Sequence, residues 1–398
     1  MLKIVVVLAL ISAPLCPQAT LSKSDKKAAK AAKASKSQAD ASPQNGPVTS
    51  SVFQRNLVTA NAKISDIVTY HNAYYNDVES RHFTTGEVLG YVTPWNGHGY
   101  DVAKTFGKKL GLVSPVWLQL LPKSHNNDKA YTVGGLHDVD PGWVKEVRKN
   151  SKLLPRILFD KWTGPDYMKL FGSAAEQKEV AKVIASTVTE HGFDGIVLEI
   201  WSQFGGQVKE EASTLIQYIS EAVRADGKVF VLVIPPALYK GNSPGMFNAA
   251  DFTRLEPHVD FFSLMTYDYS SVQNPGPNAP ISWVKQCVLA LNPKTKAHKI
   301  LLGLNFYGLS YTADGGGQHV LGRDFVDALK HLSGNVKLKA DKDSAENFVE
   351  VKVDGVKRTI FYPTLYSIQS RLHLAKELGT GISIWELGQG MDYFFDLF

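Results

Sequence analysis

The strongest constraint on this chain is an alternation of short apolar runs with amphipathic stretches, which starts near residue 88. The runs are rich in β-branched or aromatic residues and almost continuously apolar, as expected for parallel strands buried on both faces. Up to the seventh run, successive starts lie about 24 to 42 residues apart, which is the length of a strand–helix unit. The eight runs are residues 88–94, 112–118, 154–160, 195–201, 229–235, 260–268, 299–307 and 381–387.

Helical periodicity lies between these runs, most clearly at residues 174–190, 212–224, 281–291 and 367–378. Eight strands with intervening helices predict an α/β fold, a (β/α)8 TIM barrel. The alternative is a doubly wound open sheet. That fold would be expected to carry a Gly-rich phosphate-binding turn after its first strand, and residues 92–95 (Val-Thr-Pro-Trp) do not form one.

A longer gap precedes the last run, because 82 residues separate Lys299 from Gly381. Within it, residues 347–353 and 356–362 are rich in strand-forming residues and flank Asp354-Gly355. Two such runs around Asp-Gly predict a β-hairpin. We therefore expect a short hairpin-bearing insertion between strands seven and eight.

The net charge of +5 is carried by residues 1–51, which contain seven lysines and two aspartates, so residues 52–398 are neutral. A neutral body argues against nucleic acid as a partner. The apolar run at residues 4–15 is too short to span a bilayer, and it follows Lys3, which is typical of a signal peptide. We predict a signal peptide (1–19), a disordered basic tail (20–51), an N-terminal extension (52–86) and a barrel (87–398). No transmembrane segment is expected, and the predicted location is secreted, with late endosome or lysosome as a further destination.

The sequence gives no sign of a cofactor. Cys16 falls in the predicted signal peptide, which leaves Cys287 without a partner for an internal disulfide. The histidines are scattered, without the spacing of metal ligands, and no nucleotide-binding motif is present. We expect neither a metal nor another cofactor.

Aromatic residues and carboxylates gather at the ends of the predicted strands, where TIM barrels carry their sites. Indole rings stack on the apolar faces of sugars, and carboxylates bind hydroxyl groups or act on glycosidic bonds. Together they are typical of a carbohydrate site, although each residue alone could equally pack the core or cap a helix. The residues are Trp95, Trp162, Trp201, Trp385, Asp160, Glu199, Asp268 and Glu386, with Tyr267 beside Asp268.

Four segments resemble the family 18 glycoside hydrolases, the chitinases: residues 193–201, 265–268, 303–308 and 384–387. The resemblance covers roughly residues 87–398 and implies the same TIM barrel. It also implies a cis peptide bond between Trp385 and Glu386. The short insertion implies a shallow groove.

One part of the resemblance is degenerate. The strand-four pattern of the family, Asp-x-x-Asp-x-Asp-x-Glu, falls on Asp194, Val197, Glu199 and Trp201. The resemblance implies that the last position holds the proton donor, and an indole N–H is not an acid. Glu199 lies about 6.5 Å back along the strand, whereas proton donation needs about 3 Å. The sequence therefore predicts an inactive homologue with no catalytic residue.

The resemblance implies a lectin-like protein whose ligands are chito-oligosaccharides and lipopolysaccharide, with a role in innate immune sensing and a scavenger receptor as partner. Two alternatives remain open: a weakly active hydrolase that uses Glu199, Asp268 or Asp160, and a protein-interaction scaffold without a glycan site. For the glycan site we predict Trp385 as the floor, Trp95 and Trp201 as stacking rings, and Tyr267, Asp268, Asp160 and Glu199 as hydrogen-bonding residues.

Overall fold

A computed structural model describes residues 43–332, 336–353 and 355–398, without the side chain of Val353. The predicted signal peptide and the predicted tail up to residue 42 lie outside the described residues, as does Asp354. Within the described ranges, no helix is both long enough and apolar enough to cross a membrane.

The strands are β1 (Val88–Val92), β2 (Gly111–Pro115), β3 (Leu118–Leu121), β4 (Thr132–Gly134), β5 (Lys152–Leu153), β6 (Arg156–Phe159), β7 (Gly195–Leu198), β8 (Val229–Ile234), β9 (Phe261–Leu264), β10 (Ile300–Asn305), β11 (Gly308–Thr312), β12 (Gly317–Val320), β13 (Lys339–Asp341), β14 (Glu346–Val353), β15 (Val356–Tyr362) and β16 (Gly381–Trp385). The α-helices are α1 (Ile64–Tyr70), α2 (His98–Thr105), α3 (Gly107–Leu110), α4 (Pro141–Val147), α5 (Gly164–Phe171), α6 (Ala174–Glu190), α7 (Lys209–Arg224), α8 (Ala249–Leu255), α9 (Ile281–Ala290), α10 (Gly322–Lys330) and α11 (Leu365–Leu378).

The predicted (β/α)8 barrel is confirmed. Parallel pairing runs from β6 through β7, β8, β9, β10 and β16 to β1, β2 and β5. Strand two is interrupted at residues 116–117, and strand three starts before its predicted bound and is interrupted at residues 154–155. As a result β2 pairs with β5 while β3 pairs with β6, and this closes the sheet. The four predicted helices are present as α6, α7, α9 and α11.

Two apolar layers follow from the alternation of side chains along each strand. One layer fills the barrel and includes Leu89, Val197, Val231 and Leu301. The other lies between the sheet and its surrounding helices. Residues at the tops of the inward-facing rows therefore meet at the barrel mouth.

The predicted hairpin is also confirmed, since β14 and β15 pair in antiparallel register from Asn347–Tyr362 to Val353–Val356. The insertion contains more than this hairpin. Its five strands pair in the order β12-β11-β15-β14-β13, and α10 lies between β12 and β13 in the chain. Leu309, Tyr311 and Phe361 of the insertion form an apolar cluster with Tyr307, and this cluster packs against Trp385 at the barrel mouth.

The N-terminal extension is fastened to the last turn of the chain. Both carboxylate oxygens of Asp396 accept backbone N–H groups, from Val52 at 3.0 Å and from Tyr75 at 2.7 Å. Residues 43–51, within the predicted tail, also take part: the Val48 N–H donates to Tyr74 O at 2.8 Å. The folded body therefore includes these residues.

Candidate functional site

An ion pair lies inside the barrel mouth. Arg156 on β6 and Glu199 just after β7 each follow an inward-facing apolar residue by two positions, Leu154 and Val197 respectively. Arg156 Nε lies 3.0 Å from Glu199 Oε2, and the two side chains are 11% and 28% exposed. The Nε–H group is not directed at the carboxylate well enough for a hydrogen bond, so the contact is electrostatic.

Tyr267, Asp268 and Tyr307 form a second polar group at the mouth. The Tyr307 hydroxyl donates to Asp268 Oδ1, and the rings of Tyr267 and Tyr307 meet edge to face at 6.3 Å. Burial raises the pKa of the Tyr267 hydroxyl, and the nearby Tyr91, Asp268 and Glu199 raise it further. The groups from strands one, four and six therefore share one electrostatic environment.

Asp268 combines solvent contact with a densely packed carboxyl group. The residue is exposed, yet enough protein surrounds the carboxyl to raise its pKa, an effect that the hydrogen bond from Tyr307 opposes. Its backbone has a φ of +60°, which is uncommon for a residue other than glycine. Its N–H donates to Asn278 Oδ1 at 2.6 Å. Tyr307 thus holds the carboxylate and Asn278 holds the backbone of the same residue, which remains exposed to solvent.

Trp385 lies where a floor for the mouth was predicted. It is half-buried at the end of β16, and its ring lies 5.2 Å from that of Tyr91 at an angle of 53°. Tyr91 is fixed in turn, because its hydroxyl donates to Ser263 Oγ at 2.9 Å across the barrel. The predicted cis bond between Trp385 and Glu386 is present.

Trp201 does not face the mouth. The strand ends at Leu198, and a 3₁₀-helix, Trp201–Phe204, turns the chain outward. The indole is 2% exposed, packs 5.0 Å from Phe247 and donates from Nε1 to Met246 O at 3.2 Å. The expectation that Trp201 stacks on a sugar is therefore corrected, because alternation along a strand holds only while the strand continues.

Two other predicted contacts lie apart from this group. Trp95, in the turn after β1, is 65% exposed. Asp160 follows β6, accepts the Lys161 N–H at 2.9 Å and is one of the charges that raise the pKa of Tyr167. We assign neither residue to the central group, although both remain accessible to a longer ligand.

The remaining carboxylates of the predicted set have structural partners. Asp194 starts strand four, and Arg148 donates to it twice, at 2.7 and 3.1 Å. Glu386 is fully buried beneath α2, where it accepts hydrogen bonds from Asn96 and from the Gly388 N–H. Burial raises the pKa of Glu386 to about 7.

Three residues at or behind the mouth were not predicted as site residues: Arg156, Tyr307 and Asn278. Arg156 could have been found, because it is a cation inside an otherwise apolar strand and has the same parity as Leu154 and Asp160. Tyr307 ends the seventh apolar run and was counted only as part of the strand. Asn278 carries no local signal, since its role depends on a loop that returns to Asp268.

The described residues include no group of three or more His, Cys, Asp or Glu side chains that could hold a metal ion. Cys287 is buried with a free thiol, and burial raises its pKa to about 11, which makes it a poor ligand or nucleophile. The mouth itself presents aromatic rings, hydrogen-bonding groups and the Arg156–Glu199 ion pair.

Residues 87–390 match the protein family described as glycosyl hydrolases family 18. An uncharacterized glycosylase of Bacillus subtilis is 22% identical over 231 residues, which cover 57% of this chain and 66% of the relative. Chitinase C of Streptomyces lividans is 25% identical over 279 residues, covering 65% of this chain and 41% of the relative. The chain thus spans less than two thirds of either protein. A chitinase structure from Chromobacterium violaceum has a TM-score of 0.66 at 17% identity and covers 78% of this chain and 98% of that chain, a likeness of fold.

Proposed function

The chain belongs to the glycosyl hydrolases of family 18, and we propose that it binds oligosaccharides at the barrel mouth without cleaving them. The observation that carries this proposal is the Arg156–Glu199 ion pair. The Arg156 guanidinium contacts Oε2 of Glu199. Trp201, which falls at the position of the proton donor in the family pattern, is buried. We infer that neither the paired Glu199 nor the Trp201 indole donates a proton to a glycosidic oxygen. Loss of a general acid typically lowers the rate of hydrolysis by about 10²–10⁴-fold.

Binding follows from the shape and chemistry of the mouth. The half-buried indole of Trp385 offers an apolar face to one sugar ring. Tyr91 packs against the indole and fixes its orientation. Asp268 presents a carboxylate held by Tyr307, which suits a sugar hydroxyl or an amide N–H. The ion pair adds a donor and an acceptor on the opposite side.

Isothermal titration with chito-oligosaccharides of increasing length tests the proposal. We expect saturable binding that Trp385→Ala weakens by about tenfold, since aromatic stacking is worth about 1–3 kcal/mol for nucleic-acid bases and a sugar face makes a comparable apolar contact. Phe53→Ala, at an exposed aromatic residue of the N-terminal extension, is the matched control. Binding that is unaffected by Trp385→Ala would show that the ligand site lies elsewhere.

A second candidate is slow hydrolysis through Glu199. It is supported by the location of this carboxylate in the mouth and by relatives named as a glycosylase and a chitinase. A fluorogenic chito-oligosaccharide separates the two functions. Turnover that Glu199→Gln abolishes would establish hydrolysis, and no release of sugar by either protein supports binding alone.

We further propose chito-oligosaccharides and lipopolysaccharide as ligands, with secretion, or delivery to late endosomes or lysosomes, as the setting. A scavenger receptor and a role in innate immune sensing complete this proposal, which extends the resemblance of the site segments to the family. A glycan array that includes lipopolysaccharide tests the ligand classes directly. A uniformly negative array would leave the scaffold alternative as the better account.

A further inference from the structure

We propose that Asn278 is a positioning residue that fixes the carboxylate of Asp268 for its ligand, and that the insertion holds Asn278 through Glu346 and Arg371. The proposal rests on the proposed function, in which Asp268 contacts the glycan. It concerns residues that do not touch the ligand themselves.

The backbone of Asp268 is held by Asn278. A φ of +60° is uncommon for a residue other than glycine, and such a conformation persists where the surroundings hold it. Here the Asp268 N–H donates to Asn278 Oδ1 at 2.6 Å, and the Tyr269 N–H donates to Asn278 O at 2.8 Å. One buried residue thus holds two consecutive backbone groups of the site.

Asn278 is held in turn by Glu346 of the insertion. Its own N–H donates to Glu346 Oε2 at 2.9 Å, and the Ala279 N–H donates to Glu346 Oε1 at 2.6 Å. Glu346 is the first residue of β14 and is buried. The loop after strand six is therefore fixed to the insertion by both oxygens of a single carboxylate.

The Glu346 carboxylate is paired with Arg371. The buried guanidinium of Arg371, on α11, lies 3.1 Å from Glu346 Oε1. Arg371 also donates from Nη1 to the carbonyl oxygens of Ser367 at 2.8 Å and Ala345 at 3.2 Å, and from Nη2 to that of Ala279. A buried carboxylate needs such pairing, because removing one partner leaves an uncompensated charge. The chain of contacts from Arg371 to Asp268 is continuous.

A double-mutant cycle tests the proposal. Asp268→Ala should weaken binding of a chito-oligosaccharide by at least about tenfold, as expected for a lost hydrogen bond to a charged group, and Asn278→Ala, which releases the Asp268 backbone, by about tenfold. If Asn278 acts through Asp268, the double variant should bind no more weakly than Asp268→Ala alone. Fully additive losses would overturn the proposal. Asn274→Ala, an exposed asparagine of the same loop, is the matched control.

Two further measurements distinguish a lost position of Asp268 from a loss of folding. Affinities are compared at a temperature at which circular dichroism shows every variant to be folded, so a purely structural role would leave them unchanged. In the free protein, the Asp268 amide should exchange with solvent faster in Asn278→Ala than in wild type or Asn274→Ala. Unchanged exchange overturns the positioning role even if wild type binds no glycan, whereas absence of wild-type binding alone argues against the proposed function.

Discussion

Arg156 Nε and Glu199 Oε2 lie 3.0 Å apart inside the barrel mouth, where the two charges come from neighbouring strands. Glu199 lies in the strand-four segment that resembles the family pattern, and Arg156 comes from strand three. It makes the mouth polar without making it acidic, since each charge has its counter-charge within contact distance.

The first prediction concerns this pair. Arg156→Gln leaves the Glu199 carboxylate largely enclosed without its cation, so we expect the free energy of unfolding to fall by about 1–3 kcal/mol. The double variant with Glu199→Gln should recover part of that loss. Chemical denaturation measures both. Arg323→Gln, which removes an exposed partner of Asp324, should cost less than about 0.5 kcal/mol, and an equal cost for the two arginines would contradict the assignment.

The second prediction concerns position 201. Trp201→Glu places the family acid back at its sequence position, yet the side chain there points into the layer between sheet and helices. We expect no hydrolysis of a fluorogenic chito-oligosaccharide and a loss of stability of about 3–5 kcal/mol, since a large ring is lost and a carboxylate is buried. Trp201→Phe should keep wild-type glycan affinity. Turnover by Trp201→Glu would show that the side chain reaches the mouth.

The third prediction follows from Glu386. Its pKa is raised from an ordinary value of 4.5 to about 7 by burial. The folded state therefore keeps a proton that the unfolded state has released. This stabilisation is fully present below pH 4.5, falls as the pH rises and is lost once the pH exceeds 7. The free energy of unfolding should fall by up to about 3 kcal/mol across this pH range.

Thermal unfolding at pH 5 and at pH 8 measures the effect. The wild-type midpoint should be lower at pH 8, and the difference should shrink in Glu386→Gln, which carries no charge at either pH. Burial also raises the pKa of Glu346 and of Asp396, so the variant should reduce the dependence rather than remove it. Glu221→Gln, on the exposed face of α7, should behave as wild type.

The sequence was sufficient for the framework because hydrophobic periodicity is local. Residues 174–190 were predicted as a helix and form α6 with the same bounds, and the Asp-Gly pair correctly predicted the hairpin of β14 and β15. Trp201 was misplaced because the alternation rule was carried past Leu198, where the strand ends. Asn278 was invisible because its contacts join a loop, the insertion and α11, which are far apart in sequence. Such pairings follow from the closed barrel and not from any local pattern.

The last prediction concerns the boundary between the basic tail and the folded body. Residues 21–42 contain six lysines and two aspartates, a net charge of +4, whereas residues 43–51 make backbone hydrogen bonds to the N-terminal extension. Among these, Gly46 N–H donates to Asn72 O at 2.6 Å and Asn76 N–H donates to Val48 O at 2.9 Å. Because the composition of residues 21–42 predicts a disordered tail, we expect their deletion to leave the free energy of unfolding unchanged. Extending the deletion to residue 51 should lower it by about 2–4 kcal/mol, since each lost hydrogen bond is worth about 1 kcal/mol.

Binding separates the two roles of this region. The shorter deletion should lower the salt concentration at which the protein elutes from an anionic polysaccharide column, because six cations are lost. Its affinity for neutral chito-oligosaccharides should stay the same, since the mouth is untouched. A variant with the six lysines replaced by glutamine controls for length. Destabilisation by the shorter deletion would move the domain boundary below residue 43, and unchanged elution would leave the tail without a role in binding anions.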